Sequence, residues 1–169
     1  MRRAFFISVI LLVAHQSKAG PIAAQFGSGY EGVYWGTSLT KLVGMFPDGE
    51  HYFSTSPGER VYLVQNNYPI FDVPRTGTRV QYHLGKDGGV EYIAIGVPYE
   101  RRDQLLGTLL SLFGSYSAPR TVGTAVIYHW PRDNQVTISV RASKDPTNGI
   151  LEFWVSHVDT SKPTAPSPK

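Results

Sequence analysis

The chain has 169 residues and no cysteine, and this absence excludes several kinds of chemistry at once. Without cysteine there is no disulfide, no thiolate nucleophile and no cysteine-ligated metal site. A domain built by this sequence therefore has to be stabilised by its hydrophobic core. Roughly 140 residues lie between the N-terminal hydrophobic segment and the Pro/Ser-rich C-terminal tail, a length that is sufficient to bury one core.

Long hydrophobic runs are also missing, and the longest one, Ala4–Ala14, lies near the N-terminus. It has eleven residues, whereas a membrane-spanning helix takes about twenty. Two arginines precede the run, and Ser17–Ala19 supplies the small residues of a signal-peptidase site. This order predicts a cleavable signal peptide over residues 1–19. We therefore expect a periplasmic or secreted protein with no membrane span in its mature form.

An excess of positive charge is missing once the predicted signal peptide is removed. The whole chain has 16 basic and 13 acidic residues. Arg2, Arg3 and Lys18 belong to the predicted signal, which leaves 13 residues of each sign. Proteins that bind nucleic acid need a basic surface to meet the phosphates. We therefore expect no nucleic-acid partner.

Recognisable catalytic motifs are missing too. The sequence contains no G-x-S-x-G, H-E-x-x-H or phosphate-binding G-x-x-x-x-G-K-[ST] segment. Neither helical nor strand spacing pairs the histidines outside the predicted signal, and the acidic residues are scattered singly. We predict a protein that is not an enzyme and needs no cofactor or metal ion, and keep a small hydrolase as an alternative. The four histidines are His51, His83, His129 and His157.

What the sequence does contain is a set of strand signals separated by short polar turns. Val136, Ile138 and Val140 alternate with polar residues, a pattern typical of a sheet with one buried and one solvated face. Turns such as Gly85–Gly89 favour antiparallel hairpins. Six segments rich in β-branched and aromatic residues predict strands: Arg60–Gln65, Thr78–Leu84, Val90–Val97, Thr124–Trp130, Gln135–Ala142 and Ile150–Val158.

Two segments have helical periodicity. The first has Leu39, Leu42, Val43 and Phe46 on one face, with Thr37 or Ser38 as the N-cap. The second runs from about Arg101 to Phe113, is rich in leucine and ends at Gly114. Together these elements predict an α+β fold, an antiparallel sheet with two amphipathic helices on one face.

The domain organisation follows from these elements and from the composition of the ends. We expect a flexible arm at residues 20–30, a single α+β domain at 31–159 and a disordered Pro/Ser-rich tail at 160–169. The residues before each helix align at an offset of 64, as Gly32-Val33 with Gly96-Val97. This alignment indicates a duplicated helix-then-sheet unit with halves 31–95 and 96–159, or else two ordinary amphipathic helices.

The segment from Gly32 to Pro47, GVYWGTSLTKLVGMFP, carries a family resemblance. It resembles small exported bacterial domains in which an aromatic-Gly-Thr-Ser start leads into a short helix and then a sheet. Such domains form the β-lactamase-inhibitor-protein-like group, which includes small outer-membrane assembly lipoproteins. A tandem copy would match the inhibitor proteins. The resemblance implies helices on one face of an antiparallel sheet and a function in binding.

Three aromatic residues are candidates for a recognition surface: Tyr128, Trp130 and Trp154. Tyr and Trp are common anchors of protein interfaces, although the pattern favours a place for the same residues in the core opposite the helices. Both interpretations remain open from the sequence. We predict a non-catalytic binding protein that contacts another protein in the bacterial envelope or outside the cell. The alternative is a carrier with an apolar pocket for a small ligand.

Overall fold

The structure is a computed structural model, and it describes residues 19–53, 60–145, 147 and 149–158. All but one residue of the predicted signal peptide, and the predicted tail, lie outside the described residues. The elements follow one another in this order: α1 (Pro21–Phe26), β1 (Gly29–Tyr30), β2 (Val33–Tyr34), α2 (Leu39–Met45), β3 (Glu50–Phe53), β4 (Arg60–Gln65), β5 (Arg79–Leu84), β6 (Val90–Pro98), a 3₁₀ turn (Tyr99–Arg101), α3 (Arg102–Phe113), β7 (Arg120–Val122), β8 (Ala125–His129), β9 (Val136–Ser143) and β10 (Ile150–His157).

Eight of these strands form one antiparallel sheet in the order β3-β4-β5-β6-β10-β9-β8-β7. The predicted α+β class is confirmed, and each predicted strand ends within one residue of its predicted bounds. The sheet consists of two four-stranded meanders, β3–β6 and β7–β10. They meet at the centre, where β6 pairs with β10 in a register that sets Ala94 opposite Trp154. A helix precedes each meander, α2 the first and α3 the second.

The sequence did not reveal the two strands at the sheet edges. β3 has four residues and β7 has three, and all seven are exposed. An edge strand of this kind has no buried face, so it lacks the alternation that marks a half-buried strand. The short β1–β2 hairpin was missed for a similar reason, because each of its strands has two residues.

Both predicted helices are present, although their buried stripes are narrower than expected. Ser38 is the N-cap of α2, and its hydroxyl accepts a hydrogen bond from the Lys41 amide at 3.4 Å. Of the predicted stripe only Leu42 is fully buried, and Val43 is 44% exposed. In α3 the buried residues are Leu105, Leu106 and Leu109, whereas Leu110 and Leu112 face outward.

The predicted flexible arm at residues 20–30 is wrong, because this segment folds onto the domain. The Asp133 carboxylate accepts hydrogen bonds from the amides of Gly20 (3.0 Å) and Ala23 (2.9 Å) at the start of α1. Ile22 and Phe26 of α1 are buried. A six-residue helix shows too little periodicity to be recognised, and its capping carboxylate lies more than a hundred residues further along the chain.

Phe26 lies at the centre of an aromatic cluster that ties α1 to the rest of the core. Its ring centroid is 5.9 Å from Phe71, 5.9 Å from Phe153 of β10 and 6.2 Å from Phe113 of α3. Phe71 adopts a positive φ of 49° in the tight turn closed by Ile70 and Val73. An aromatic residue is disfavoured in that conformation, so burial of its ring against Phe26 has to offset the local strain.

We expect Phe26→Ala to lower the free energy of unfolding by about 3–5 kcal/mol, since it removes a buried ring and leaves a cavity. The neighbouring exposed residue gives the matched control: Gln25→Ala should change it by less than about 0.5 kcal/mol. Urea unfolding measures both. A loss below about 1 kcal/mol for Phe26→Ala would show that α1 is not part of the core.

Two core tyrosines differ in whether their hydroxyls are hydrogen-bonded. The Tyr62 hydroxyl donates to the carbonyl of Phe46, while the buried Tyr82 hydroxyl has no hydrogen-bond partner among the described residues. Burial, with a smaller contribution from Glu31, raises the pKa of Tyr82 far above its ordinary value. The ring itself is well placed, stacked on Phe46 at 5.8 Å between centroids.

We expect Tyr82→Phe to leave the free energy of unfolding unchanged or raise it by up to about 1 kcal/mol, because it removes an unsatisfied buried hydroxyl. Tyr62→Phe should lower it by about 1 kcal/mol, because a made hydrogen bond is lost. Urea unfolding near neutral pH measures both effects. Equal effects would contradict the difference in hydrogen bonding between the two hydroxyls.

The raised pKa of Tyr82 also predicts how stability depends on alkaline pH. Above about pH 10 the unfolded chain ionises this tyrosine, whereas the folded chain keeps it neutral, so stability falls as pH rises. Tyr82→Phe removes one such group. The stability of the Tyr82→Phe variant should therefore fall less steeply above pH 10 than that of the unmodified chain. The two slopes should differ by about 1.4 kcal/mol per pH unit at most.

Candidate binding face

The sheet has one face covered by helices and one that they leave open. The helices pack on one side of the sheet through three phenylalanine rings, those of Phe26, Phe46 and Phe113. Phe26 contacts Phe153 of β10, Phe46 contacts Tyr82 of β5, and Phe113 contacts Phe26. We call this side the inner face and the opposite side the outer face. By the strand register the outer face of the five central strands carries these residues: Gln81, His83, Tyr92, Ala94, Gly96, Glu152, Trp154, Ser139, Arg141 and Ile127.

Three rings form an aromatic stack near the centre of the outer face. His83 and Tyr92 are directly paired across β5 and β6, with ring centroids 4.2 Å apart and planes 21° from parallel. Tyr92 stacks in turn on Trp154 of β10, at 5.3 Å and 18°. Trp154 faces Ala94 in the register, and this small neighbour leaves the indole free to lean toward Tyr92. Within the stack His83 is buried, while Tyr92 and Trp154 are half-exposed.

Polar groups next to the stack fix the orientation of the indole. The Glu152 carboxylate accepts a hydrogen bond from Trp154 Nε1 at 2.9 Å and one from Gln81 Nε2 at 3.5 Å. Gln81 and Glu152 lie on either side of β6, which presents only Ala94 and Gly96 between them. Two small residues at the centre of the sheet therefore let side chains from both meanders meet.

A groove with a volume of about 460 Å³ runs across the outer face beside this contact. It draws residues from β5 and β8, which are four positions apart in the sheet and so roughly 19 Å apart. The groove thus crosses the strands instead of following one. Its walls mix charged, hydroxyl and apolar groups: Gln81, Thr124, Ala125, Arg141, Ser143, Ile150 and Glu152.

The charges on the outer face are arranged unevenly. At the first meander Arg79 and Glu50 form an ion pair at 3.2 Å. At the second, exposed Arg141 lies opposite Glu152 in the register, yet within the described ranges it forms no ion pair or hydrogen bond. Arg120, on edge strand β7, is also exposed and likewise makes no such contact with a described residue. The second half of the outer face therefore has two exposed arginines with no ion-pair partner in the part of the chain that the structure describes.

The structure does not bring Tyr128, Trp130 and Trp154 together. Trp130 is fully buried, and its Nε1 donates to the Gly114 carbonyl at 2.8 Å. Tyr128 pairs with Val140 on the inner face and packs edge-on against Tyr116. These two residues belong to the core, which was one of the two interpretations left open. Of the three candidates only Trp154 lies on the outer face.

The other residues of the outer face were not predicted as site residues. His83 and Tyr92 lie on strands far from Trp154 in sequence, and they meet it only because β6 pairs with β10. Period-two alternation assigns each residue to one of two faces, but the central register is needed to place them side by side. The sequence did contain a signal that Arg141 lies on the solvated face, since this residue falls among the polar positions of the alternating β9 pattern.

The four histidines do not converge. His83 belongs to the aromatic stack, His157 stacks on Trp35 at 5.5 Å, His51 contacts Phe53, and His129 is exposed on β8. Among residues that the structure describes, no three His, Cys, Asp or Glu side chains are grouped as metal ligands. Within the same residues, every helix is too short or too polar to cross a bilayer.

Comparisons of the chain with protein-family models, with curated proteins and with solved structures found no match. The resemblance to the β-lactamase-inhibitor-protein-like group therefore stays a prediction. The fold and the outer face have to be interpreted on their own geometry.

The different positions of the tryptophans predict different responses to a quencher in solution. Trp154→Phe should lower the fraction of tryptophan fluorescence that acrylamide quenches, because it removes a half-exposed indole. Trp130→Phe should raise that fraction, because it removes a buried one. A lower fraction after Trp130→Phe would mean that Trp130 is at the surface and that the assignment of faces is wrong.

Proposed function

We propose that this chain is an exported, non-catalytic binding protein that contacts another protein through its outer face. The observation that carries the proposal is the aromatic stack of His83, Tyr92 and Trp154, whose Tyr92 and Trp154 rings are half-exposed at the centre of a sheet face that the described helices leave open. Rigid aromatic side chains near the centre of a surface are the usual energetic anchors of protein interfaces. The compartment rests on the signal-like sequence of residues 1–19.

The size of the outer face supports a protein partner. Eight strands at about 4.8 Å spacing make the sheet roughly 34 Å wide. The longer strands have six to nine residues, which span roughly 20–30 Å. The face thus covers on the order of 700–1,000 Å², comparable with the roughly 800 Å² that each partner contributes to a standard interface.

The groove supports a protein segment over a small apolar ligand or a hydrolysed substrate. It is open to solvent, and charged Arg141 and Glu152 form part of its wall. A carrier of apolar ligands would instead need an enclosed and mainly apolar cavity. A hydrolase would need histidines or acids converging in a cleft, whereas the histidines here lie in separate contacts.

We further propose that the domain arose by duplication of a helix-then-sheet unit. Each meander follows one helix, and the two meet edge to edge through equivalent last strands, β6 and β10. This arrangement supports the two halves suggested by the repeated Gly-Val segments. It would place the join between the halves at the end of β6, close to the predicted boundary at residues 95 and 96.

A photoreactive amino acid at Ser139 tests the proposed function. Ser139 is half-exposed on the outer face, directly opposite Trp154. In the full chain expressed in its own cells, we expect illumination to give one discrete adduct that protease degrades. The same amino acid at Gln104, exposed on α3, should give none. Adducts at both positions, at neither, or of a kind that resists protease would contradict the proposal.

A second substitution tests whether the aromatic stack itself binds the partner, or whether loss of any exposed apolar side chain has the same effect. In the Ser139 crosslinking chain, Trp154→Ala should reduce the adduct yield about tenfold, because it removes the central anchor. Leu112→Ala, which removes a 46% exposed apolar side chain on α3, should leave the yield unchanged. Equal yields in the two variants would show that the stack does not bind the partner.

A further inference from the structure

We propose that the partner presents an acidic segment to the outer face, and that Arg141 and Arg120 bind its carboxylates. This inference rests on the proposed function and specifies the chemistry of the partner. It is carried by a row of outer-face residues that crosses three neighbouring strands: Arg120 of β7, Ile127 of β8 and Arg141 of β9.

Arg141 has its hydrogen-bonding capacity free. A guanidinium has five N–H donors and pairs best with a carboxylate in a bidentate geometry. None of the described residues hydrogen-bonds or ion-pairs with this side chain, although Glu152 stands opposite on β10. Arg141 also forms part of the groove wall, so a segment lying in the groove would meet it.

The acids near Arg141 make hydrogen bonds with other groups, and within the described residues neither of them forms an ion pair with it. The Glu152 carboxylate accepts hydrogen bonds from Trp154 and Gln81. In the loop after β9, the Asp145 carboxylate accepts hydrogen bonds from the Thr147 amide (2.9 Å) and hydroxyl (2.7 Å). These hydrogen bonds also lower the pKa of Asp145, so it remains ionised but occupied by its own loop.

Arg120 adds a second free cation on the same row. Its strand neighbour is Ile127, which in turn neighbours Arg141, so the two arginines are two strand spacings apart, roughly 10 Å. Carboxylates two residues apart in an extended segment lie on the same face of that segment, roughly 7 Å apart, and two long arginine side chains can reach both of them. The half-buried Ile127 between the arginines offers an apolar contact. An extended segment with acidic residues at alternate positions fits this row.

The first meander has no unpaired outer-face arginine among its described residues, so the proposal places the acidic segment over the second meander. Its outer-face arginine, Arg79, is paired with Glu50 at 3.2 Å. Unpaired positive charge is therefore concentrated over β7–β9, and the aromatic stack lies beside it on β5, β6 and β10. An acidic segment would bind over the second meander while its neighbouring residues contact the stack.

A synthetic peptide probe tests the charge requirement directly. A short peptide of Asp, Tyr and Gly is compared with its isostere carrying Asn for Asp, by fluorescence anisotropy with the purified protein at low salt. We expect the Asp peptide to bind at least about tenfold more tightly, with the difference shrinking as salt increases. Equal affinities for the two peptides would overturn the proposal.

Charge-reversed variants locate the site. Arg141→Glu and Arg120→Glu should each weaken binding of the Asp peptide by about tenfold or more, because they replace attraction by repulsion. Lys41→Glu, at an exposed lysine of α2 on the inner-face side of the sheet, should change it less than about twofold. Equal losses in all three variants would also overturn the proposal, as would Arg141-dependent binding to anionic lipid vesicles with no binding to the peptide.

The crosslinking chain distinguishes this inference from the proposed function. If Arg141→Glu abolishes the Ser139 adduct, both the proposed function and the acidic partner are supported. If the adduct forms at full yield with Arg141→Glu, the acidic partner is wrong while binding through the outer face stands. If no adduct forms even with Arg141 intact, the proposed function itself is wrong.

Discussion

The pairing of β6 with β10 is the interaction on which the rest of the structure depends. Each meander alone would be a four-stranded sheet with two open edges, a liability that native sheets have to cover. Joining their last strands covers one open edge of each meander and makes one inner face wide enough to receive α1, α2 and α3. The same pairing sets Ala94 against Trp154 and Gly96 against Glu152. The aromatic stack and the contact between Gln81 and Glu152 are consequences of that register.

The two faces of the sheet solve different physical problems. On the inner face, the ring of Phe26 is in contact with residues from β10, from α3 and from the turn before β5, and burial of these groups has to stabilise a chain that has no disulfide. On the outer face, Trp154 and Tyr92 remain half-exposed, and Arg141 has no partner among the described residues. These half-exposed rings and this arginine are the features on which the proposed binding role rests.

Local patterns were sufficient to predict the fold class, six strands and two helices, because each of these elements has its own periodicity. The alternation of Val136, Ile138 and Val140 identified β9, and Ser38 with its following leucines identified α2. The edge strands were missed because they have no buried face, and α1 was missed because its stabilising contacts are non-local, such as the hydrogen bond that the Ala23 amide donates to the Asp133 carboxylate. The arrangement of the outer face could not be predicted because it depends on non-local contacts too. Trp130 and Trp154 look alike in sequence, and only strand register separates core from surface.

The most direct test of this account is whether β6 and β10 are neighbours in solution. Nuclear Overhauser contacts between backbone protons measure this pairing residue by residue. We expect contacts between Ala94 and Trp154 and between Ile93 and Val155, as strong as those between Tyr82 and Ile93 within the first meander. If the contacts within each meander are present and those between β6 and β10 are missing, there is no continuous outer face, and the account fails.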